Sequence, residues 1–196
     1  ELSKGQSSEA LKVIYTPADT TDDKTVTWSS ADEKIATVKN GVVTAKATGT
    51  TKITATVGTH KAECTVTVNA KLTGIKVTPD KVTVEKGQKA NLNVTYLPAD
   101  TTDEKAVTWK SENESVATVD ENGVVTAVAG GKTKVIATAK ANNKITAVCE
   151  VKVPIHTESI ALNKTEITDL LKGKTEKLEV SFIPSNTEDS REVKWT

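Results

Sequence analysis

The sequence is poor in aromatic and sulfur-containing side chains. Of its 196 residues, 3% are aromatic, none is methionine, and there are two histidines and two cysteines. A core without large rings has to be small and aliphatic. The 26 basic and 26 acidic side chains cancel, which argues against a nucleic-acid-binding protein and against a polybasic membrane-surface protein. No apolar run approaches the roughly 18 residues that cross a bilayer, so membrane insertion is not expected.

The two cysteines occupy equivalent places in two similar segments, AECTVTV and AVCEVKV. A disulfide needs Cα atoms within about 7 Å, and equivalent points in successive domains lie farther apart than that. Alternation places Cys64 on the same side as Val66 and Val68, so we expect a small apolar thiol in the core, and the same for Cys149. Because no Cys-x-x-Cys motif is present, no zinc site is expected.

The most informative feature that is present is an internal repeat of about 85 residues. Its three copies include the segments YTPADTTDDKTVTW (15–28), YLPADTTDEKAVTW (96–109) and FIPSNTEDSREVKW (182–195). The alignment predicts a first domain at 1–69 that lacks its first strand, a complete domain at 70–153, and the N-terminal half of a third domain at 154–196. The segments between them are short, which favours a semi-rigid array of domains.

The complete copy alternates apolar and polar residues in short runs that are separated by turn residues. Val107 and Trp109 face one way, for example, and Thr108 and Lys110 the other. Period-2 alternation indicates strands with one buried face, and turn signals every 8–12 residues are typical of an immunoglobulin-like sandwich. The predicted fold class is therefore all-β, with tandem immunoglobulin-like β-sandwiches of about seven strands each.

The residues also carry a family resemblance. The segments PADTTDEKAVTW, SVATVDENGVVTAVAGG and CEVKV of the complete copy resemble the group 2 bacterial immunoglobulin-like domain. The resemblance implies a β-sandwich module of extracellular and surface proteins. It therefore implies an extracellular or bacterial cell-surface location, and it says little about a ligand.

Two surface features are candidate binding sites. Acidic side chains cluster in the loop before each tryptophan, namely Asp19, Asp22 and Asp23 in the first copy, and Asp100, Asp103 and Glu104 in the second. These loops are either solvated connections between strands or weak calcium sites, since carboxylates and hydroxyls suit calcium. The tryptophans could stack on sugars, but Trp28 and Trp109 are in step with apolar neighbours, which favours the core.

The sequence gives no support for catalysis. A serine–histidine–aspartate arrangement would need a well-placed histidine, whereas His60 lies in a predicted hairpin turn and His156 in a linker, where both are expected to be solvated. No glycine-rich phosphate loop and no HExxH motif is present. We therefore expect no catalytic residue, no cofactor and no resident metal.

The sequence thus favours a non-catalytic structural or adhesive module that acts as a semi-rigid spacer in a secreted or surface-displayed bacterial protein. Its expected partners are neighbouring repeats and either a surface glycan, a wall polymer or a host protein. The alternatives are an accessory module of a large glycan-degrading enzyme and a decoration domain of a phage virion. Because half a sandwich exposes its core and strand edges, we expect the polypeptide to continue past Thr196, or else a second chain to complete the third copy.

Overall fold

The computed structural model describes all residues from Glu1 to Thr196 and consists of strands joined by turns and loops. The strands are β1 (Leu2–Ser3), β2 (Ser7–Ala10), β3 (Thr27–Ser30), β4 (Ala36–Lys39), β5 (Val42–Ala45), β6 (Gly49–Val57), β7 (His60–Asn69), β8 (Gly74–Thr78), β9 (Lys81–Thr83), β10 (Lys89–Asn91), β11 (Asn93–Leu97), β12 (Val107–Ser111), β13 (Ala117–Val119), β14 (Val124–Ala127), β15 (Gly131–Ala139), β16 (Thr146–Val153), β17 (Ser159–Leu162) and β18 (Val180–Ile183). None of its segments is a long apolar helix of the kind that spans a membrane.

The chain forms two compact units. Unit 1 comprises Glu1–Ile75, Thr95–Ala106 and Lys140–Ile145, and unit 2 comprises Lys76–Val94, Val107–Ala139 and Thr146–Thr196. This division does not coincide with the repeat boundaries predicted from the sequence. Those boundaries therefore stay a prediction.

Unit 1 contains a two-sheet sandwich. One sheet has the strand order β1-β7-β6-β3 and the other β2-β5-β4. All neighbours are antiparallel except β1, which pairs in parallel with β7. Alternation decides which side chains face inward: in β6, Ile53 and Ala55 are buried, and Lys52 between Thr51 and Ile53 is exposed. The core unites both sheets and consists of Ala36, Val43, Ala45, Ile53, Val66 and Val68.

Unit 2 repeats this arrangement with sheets of order β12-β15-β16-β9 and β10-β14-β13. β9 pairs in parallel with β16, as β1 does with β7 in unit 1. Two further pairs of strands complete the chain, β8 with β11 and β17 with β18. The prediction of tandem immunoglobulin-like sandwiches is therefore confirmed.

Pairing in the complete copy is interrupted at two places. Pro79 and Asp80 separate β8 from β9, because proline has no amide hydrogen to continue a ladder. The next break, between β10 and β11, falls at the buried Leu92, whose amide donates to the carbonyl of Gly123. The strands on either side of Leu92 pair in different sheets, β10 with β14 and β11 with β8.

The predicted core residues are buried to different extents. Both cysteines are free thiols; Cys149 is buried and Cys64 half-buried, and burial raises the pKa of the Cys149 thiol. Trp28 packs against the core of unit 1 and is half-buried, whereas Trp195 is 57% exposed. Large apolar side chains of the third copy are exposed as well, including Ile160, Leu162, Ile167, Leu170, Leu171 and Ile183.

Candidate functional site

The acidic loops share one local structure in all three copies. We call them the Thr-x-Asp loops, residues 17–24, 98–105 and 184–191. Each begins with a proline after a cis peptide bond, and the proline carbonyl accepts the amide hydrogen of the threonine, as between Pro98 and Thr101 at 3.0 Å. The threonine hydroxyl in turn accepts the amide hydrogen of the aspartate two residues on. The turn therefore points one hydroxyl and one carboxylate in the same direction.

The second Thr-x-Asp loop binds the backbone of the linker that follows β7. Thr101, which is 6% exposed, donates its hydroxyl to the carbonyl of Ala70 at 2.9 Å. The amide of Thr102 donates to the same carbonyl at 2.8 Å. The Asp103 carboxylate accepts the amide hydrogen of Leu72 at 2.7 Å. One carbonyl and one amide of the linker are thus satisfied by a single loop, which removes the cost of leaving them unpaired.

The third Thr-x-Asp loop binds the linker after β16 in the same way. The hydroxyl of Thr187 and the amide of Glu188 donate to the carbonyl of Ile155 at 3.1 and 2.7 Å. The carboxylate of Asp189 accepts the amide hydrogen of Thr157 at 2.6 Å. Since two loops of different sequence make the same bonds, linker binding is a property of the motif.

The first Thr-x-Asp loop has no linker against it. The hydroxyl of Thr20 donates to the Asp22 carboxylate within the loop at 2.9 Å, and Asp22 is exposed, as is Asp19. Asp23 accepts from the hydroxyl and the amide of Thr25, and these bonds lower the pKa of the Asp23 carboxyl. The loop keeps its shape without a bound segment.

The two interpretations offered for the acidic loops, solvated connection and calcium site, both overlook linker binding. Asp103 is occupied by the linker amide, and Asp100 pairs with Lys4 at 2.7 Å, which lowers the pKa of the Asp100 carboxyl. Glu104 is exposed. Burial of the Tyr96 side chain raises the pKa of its hydroxyl, and the negative charge of Glu104 raises that pKa further. No three His, Cys, Asp or Glu side chains in the chain converge to hold a metal ion. The recurring threonine-x-aspartate spacing was the sequence signal for this site.

The linker residue His156 bridges two carboxylates, a contact that the sequence did not reveal. Its Nδ1 lies 2.7 Å from Asp189 and its Nε2 lies 2.8 Å from Glu85. The hydrogen bond to Asp189, followed by that to Glu85, raises the pKa of the imidazole. His156 is exposed as expected, yet it ties its linker to two loops. His60 is also exposed and opens β7 directly after the turn.

These contacts predict a pH dependence at the second linker. The pKa of His156 is raised in the folded chain. Its contribution to the folding stability is therefore fully present below the usual histidine pKa of about 6.5 and is lost as pH rises through the folded pKa. The hydrogen bond from Thr157 and that from His156 lower the pKa of Asp189, so its contribution is lost as pH falls through that lowered value. Glu85→Gln is expected to move the imidazole titration, followed by NMR, to lower pH. Glu158→Gln is the control, and an unchanged titration in Glu85→Gln would contradict the bridge.

The comparisons with known proteins agree with this architecture. The model of the bacterial Ig-like domain (group 2) matches residues 2–66 and 71–149. Ice-binding protein 1 of Shewanella frigidimarina is 35% identical over 126 residues, which is 62% of this chain and 14% of that protein. The Ig-like virion protein of Serratia phage KSP90 is 37% identical over 145 residues, 70% of this chain and 55% of that protein. Lacto-N-biosidase of Bifidobacterium bifidum is 38% identical over 117 residues, 57% of this chain and 10% of that protein.

The chain spans between a tenth and about half of the length of these relatives. What the relatives share with it is therefore a module, and their names describe the whole proteins. The family match covers most of the chain, and the observed sandwiches have the corresponding fold. The chain therefore belongs to the bacterial Ig-like domain (group 2) family.

Proposed function

We propose that this chain is a non-catalytic spacer that holds its immunoglobulin-like repeats in a semi-rigid array. The observation that supports this proposal most directly is the binding of both linkers by Thr-x-Asp loops. A linker whose carbonyl and amide are both bound within the following repeat has lost most of its conformational freedom. Stiffness at the linkers is the property that separates a spacer from a flexible tether.

The linkers leave almost no free residue between a strand and a bound group. β7 ends at Asn69, and the next residue, Ala70, already has its carbonyl bound. β16 ends at Val153, and only Pro154 precedes the bound carbonyl of Ile155. Proline at that place restricts the backbone further. Little backbone is therefore left for a hinge between each strand and the group that the following loop binds.

Ion pairs reinforce both loops. Lys4 reaches Asp100 in the second Thr-x-Asp loop, and Lys152 reaches Glu188 in the third at 2.6 Å. Exposed pairs of this kind contribute little to stability by themselves. Their effect is to restrict the geometries that the linker and the loop can share.

We place the module in a secreted or surface-displayed bacterial protein, or in a virion. The family and its occurrence in a virion protein and in a glycosidase support a role as an accessory part of a larger protein. An adhesive role stays a prediction. The surface that we assign to such a role is a groove of about 570 Å³ in unit 2, lined by Lys132, Lys134 and the Lys81–Glu150 pair, which would suit an anionic or polyhydroxylated ligand.

Residual dipolar couplings test the spacer directly. If the first linker is stiff, the residual dipolar couplings of the amides in β6 and in β15 are expected to fit a single alignment tensor. Disrupting the loop with Asp103→Ala should reduce the couplings of one repeat relative to the other, and Glu104→Ala should not. Independent tensors in the wild-type chain would overturn the proposal, whatever the variants do.

A further inference from the structure

We propose that the groove on the outer face of β9, β16 and β15 in unit 2 binds an acidic glycan, a chain of sugars that carry carboxylates. Lys132 and Lys134 are the side chains that hold the ligand's acidic groups. This inference rests on the adhesive part of the proposed function, for which it names the ligand, and it does not depend on the stiffness of the linkers.

Two of the four lysines that line this groove already have carboxylate partners within the chain. Lys81 pairs with Glu150 at 2.9 Å, and Lys152 pairs with Glu188 at 2.6 Å. Exposed pairs of this kind add little stability, but they neutralise the two lysines. Any positive charge that is free to attract a ligand therefore belongs to the other two.

Those two lysines, Lys132 and Lys134, are exposed and form no ion pair. The side chain of Thr133 between them is buried, so both lysines lie on the outer face of the sheet. Two residues of a strand span about 7 Å. The groove therefore presents two positive charges in a row, an arrangement that suits a linear ligand with an acidic group on successive units.

The first copy shows that the fold does not need a lysine at position 132. The counterpart of Lys132 in β6 is Thr50, whose hydroxyl lies 3.4 Å from that of Thr67 on the neighbouring strand. The same register in the second copy places Lys132 opposite Lys152. Facing threonines stabilise a sheet, whereas facing like charges destabilise it. A residue that breaks a pairing rule in this way is expected at a binding site.

Lys134 lacks the partner that its counterpart has in the first copy. There Lys52 pairs with Glu63 at 2.7 Å. In the second copy Val148 takes the place of Glu63 and is 41% exposed. Lys134 lies opposite Glu150 in register, but that carboxylate is already paired. The two differences between the copies, one lysine added and one carboxylate removed, fall in the same groove.

The acceptors in the groove specify which class of anion it takes. Glu112 and Glu150 line it beside the lysines, together with the exposed Thr83. Carboxylates repel a densely charged anion such as polyphosphate, whereas they accept hydrogen bonds from sugar hydroxyls. A fitting ligand brings separated acidic groups for the lysines and hydroxyls for the glutamates. A uronic-acid glycan has both, since each of its sugars carries one carboxylate and several hydroxyls.

Titration of the full 196-residue chain with tetragalacturonate, followed by NMR, tests this site. Saturable shifts are expected at the amides of residues 81–83, 131–134 and 150–152. Lys132→Thr introduces the residue type of the first copy and should weaken binding about three- to five-fold, in line with the loss of an exposed ion pair. Lys132→Arg keeps the charge and should bind as the wild type does. Lys89→Thr removes a lysine from the opposite sheet and should leave binding unchanged.

Stability measurements separate binding from folding. Lys132→Thr relieves the like-charge contact with Lys152, so urea unfolding of this variant should need at least as much denaturant as that of the wild type. Weaker binding by a variant of undiminished stability is a result that a purely structural role of Lys132 would not give.

Four outcomes would overturn the inference. The first is an absence of shifts in the groove at high millimolar tetragalacturonate, and the second is unchanged affinity in the double variant Lys132→Thr/Lys134→Gln. The third is tighter binding of tripolyphosphate than of tetragalacturonate, which would show a general anion site. The fourth is equal binding of the carboxyl-reduced tetramer, which would leave an adhesive role in place without an acidic ligand. None of these results bears on the alignment test of the spacer.

Discussion

Gly123→Ala is expected to lower the free energy of unfolding of the second repeat by about 2–5 kcal/mol. Gly123 has φ +79°, where a side chain costs about 1–2 kcal/mol. A Cβ there would also lie 2.7 Å from the Trp109 ring and 2.9 Å from the carbonyl oxygen of Leu92. Such overpacking costs about 1–3 kcal/mol, because the ring and the strand cannot both move aside.

Gly87→Ala is the matched control for this variant. Gly87 has φ +81°, and no atom lies within 4 Å of a Cβ built on it. The free energy of unfolding of Gly87→Ala should therefore fall only by the backbone cost of about 1–2 kcal/mol. Urea unfolding followed by the NMR signals of β14 separates the second repeat from the first. Equal losses in the two variants would show that the contact with Trp109 does not limit the space at this turn.

Asp103→Ala is expected to lower the free energy of unfolding by about 1–2 kcal/mol and to make the first linker more mobile. The Asp103 carboxylate accepts the amide hydrogen of the buried Leu72. Removing the acceptor leaves that amide unpaired, which costs about 1–3 kcal/mol before the linker relaxes. Hydrogen exchange at the Leu72 amide should accelerate about ten-fold or more, in line with the lost free energy.

Glu104→Ala controls for the loss of a negative charge from the same loop. Glu104 is exposed and is next to Asp103, so this variant should leave exchange at Leu72 unchanged. Thr101→Val removes the bond from the buried Thr101 hydroxyl to the Ala70 carbonyl and should accelerate exchange to a similar extent as Asp103→Ala. Unchanged exchange in both Asp103→Ala and Thr101→Val would show that neither of these two side-chain bonds limits the opening of the linker.

Much of the fold could be predicted because its causes are local. Alternation along β15 and β16 places Val135 and Val151 inward, and the structure buries both. The turn before β14 needs a residue with φ > 0, and Gly123 supplies it, whereas Asn122 does not adopt this conformation. The change of sheet partner at Leu92 was not predicted, because it depends on a carbonyl about thirty residues away in sequence.

The candidate site was only half predicted. The acidic loops were recognised by their composition, but their ligand is the backbone of a linker about thirty residues earlier, and backbone groups leave no mark in a sequence. The bridge at His156 was missed for a related reason. Its partners, Glu85 and Asp189, come from two different repeats, and nothing in the linker itself distinguishes a paired histidine from a solvated one.

The sequence by itself determined the fold class, the repeat and the family, because side-chain periodicity and turn residues act over a few positions. Only the tertiary structure decided that Thr101 and Asp103 bind a linker and that His156 bridges Glu85 and Asp189. The three Thr-x-Asp loops have nearly the same residues and the same turn. The second and third loops bind the backbone of a segment about thirty residues earlier in sequence, and that contact is a property of the folded chain.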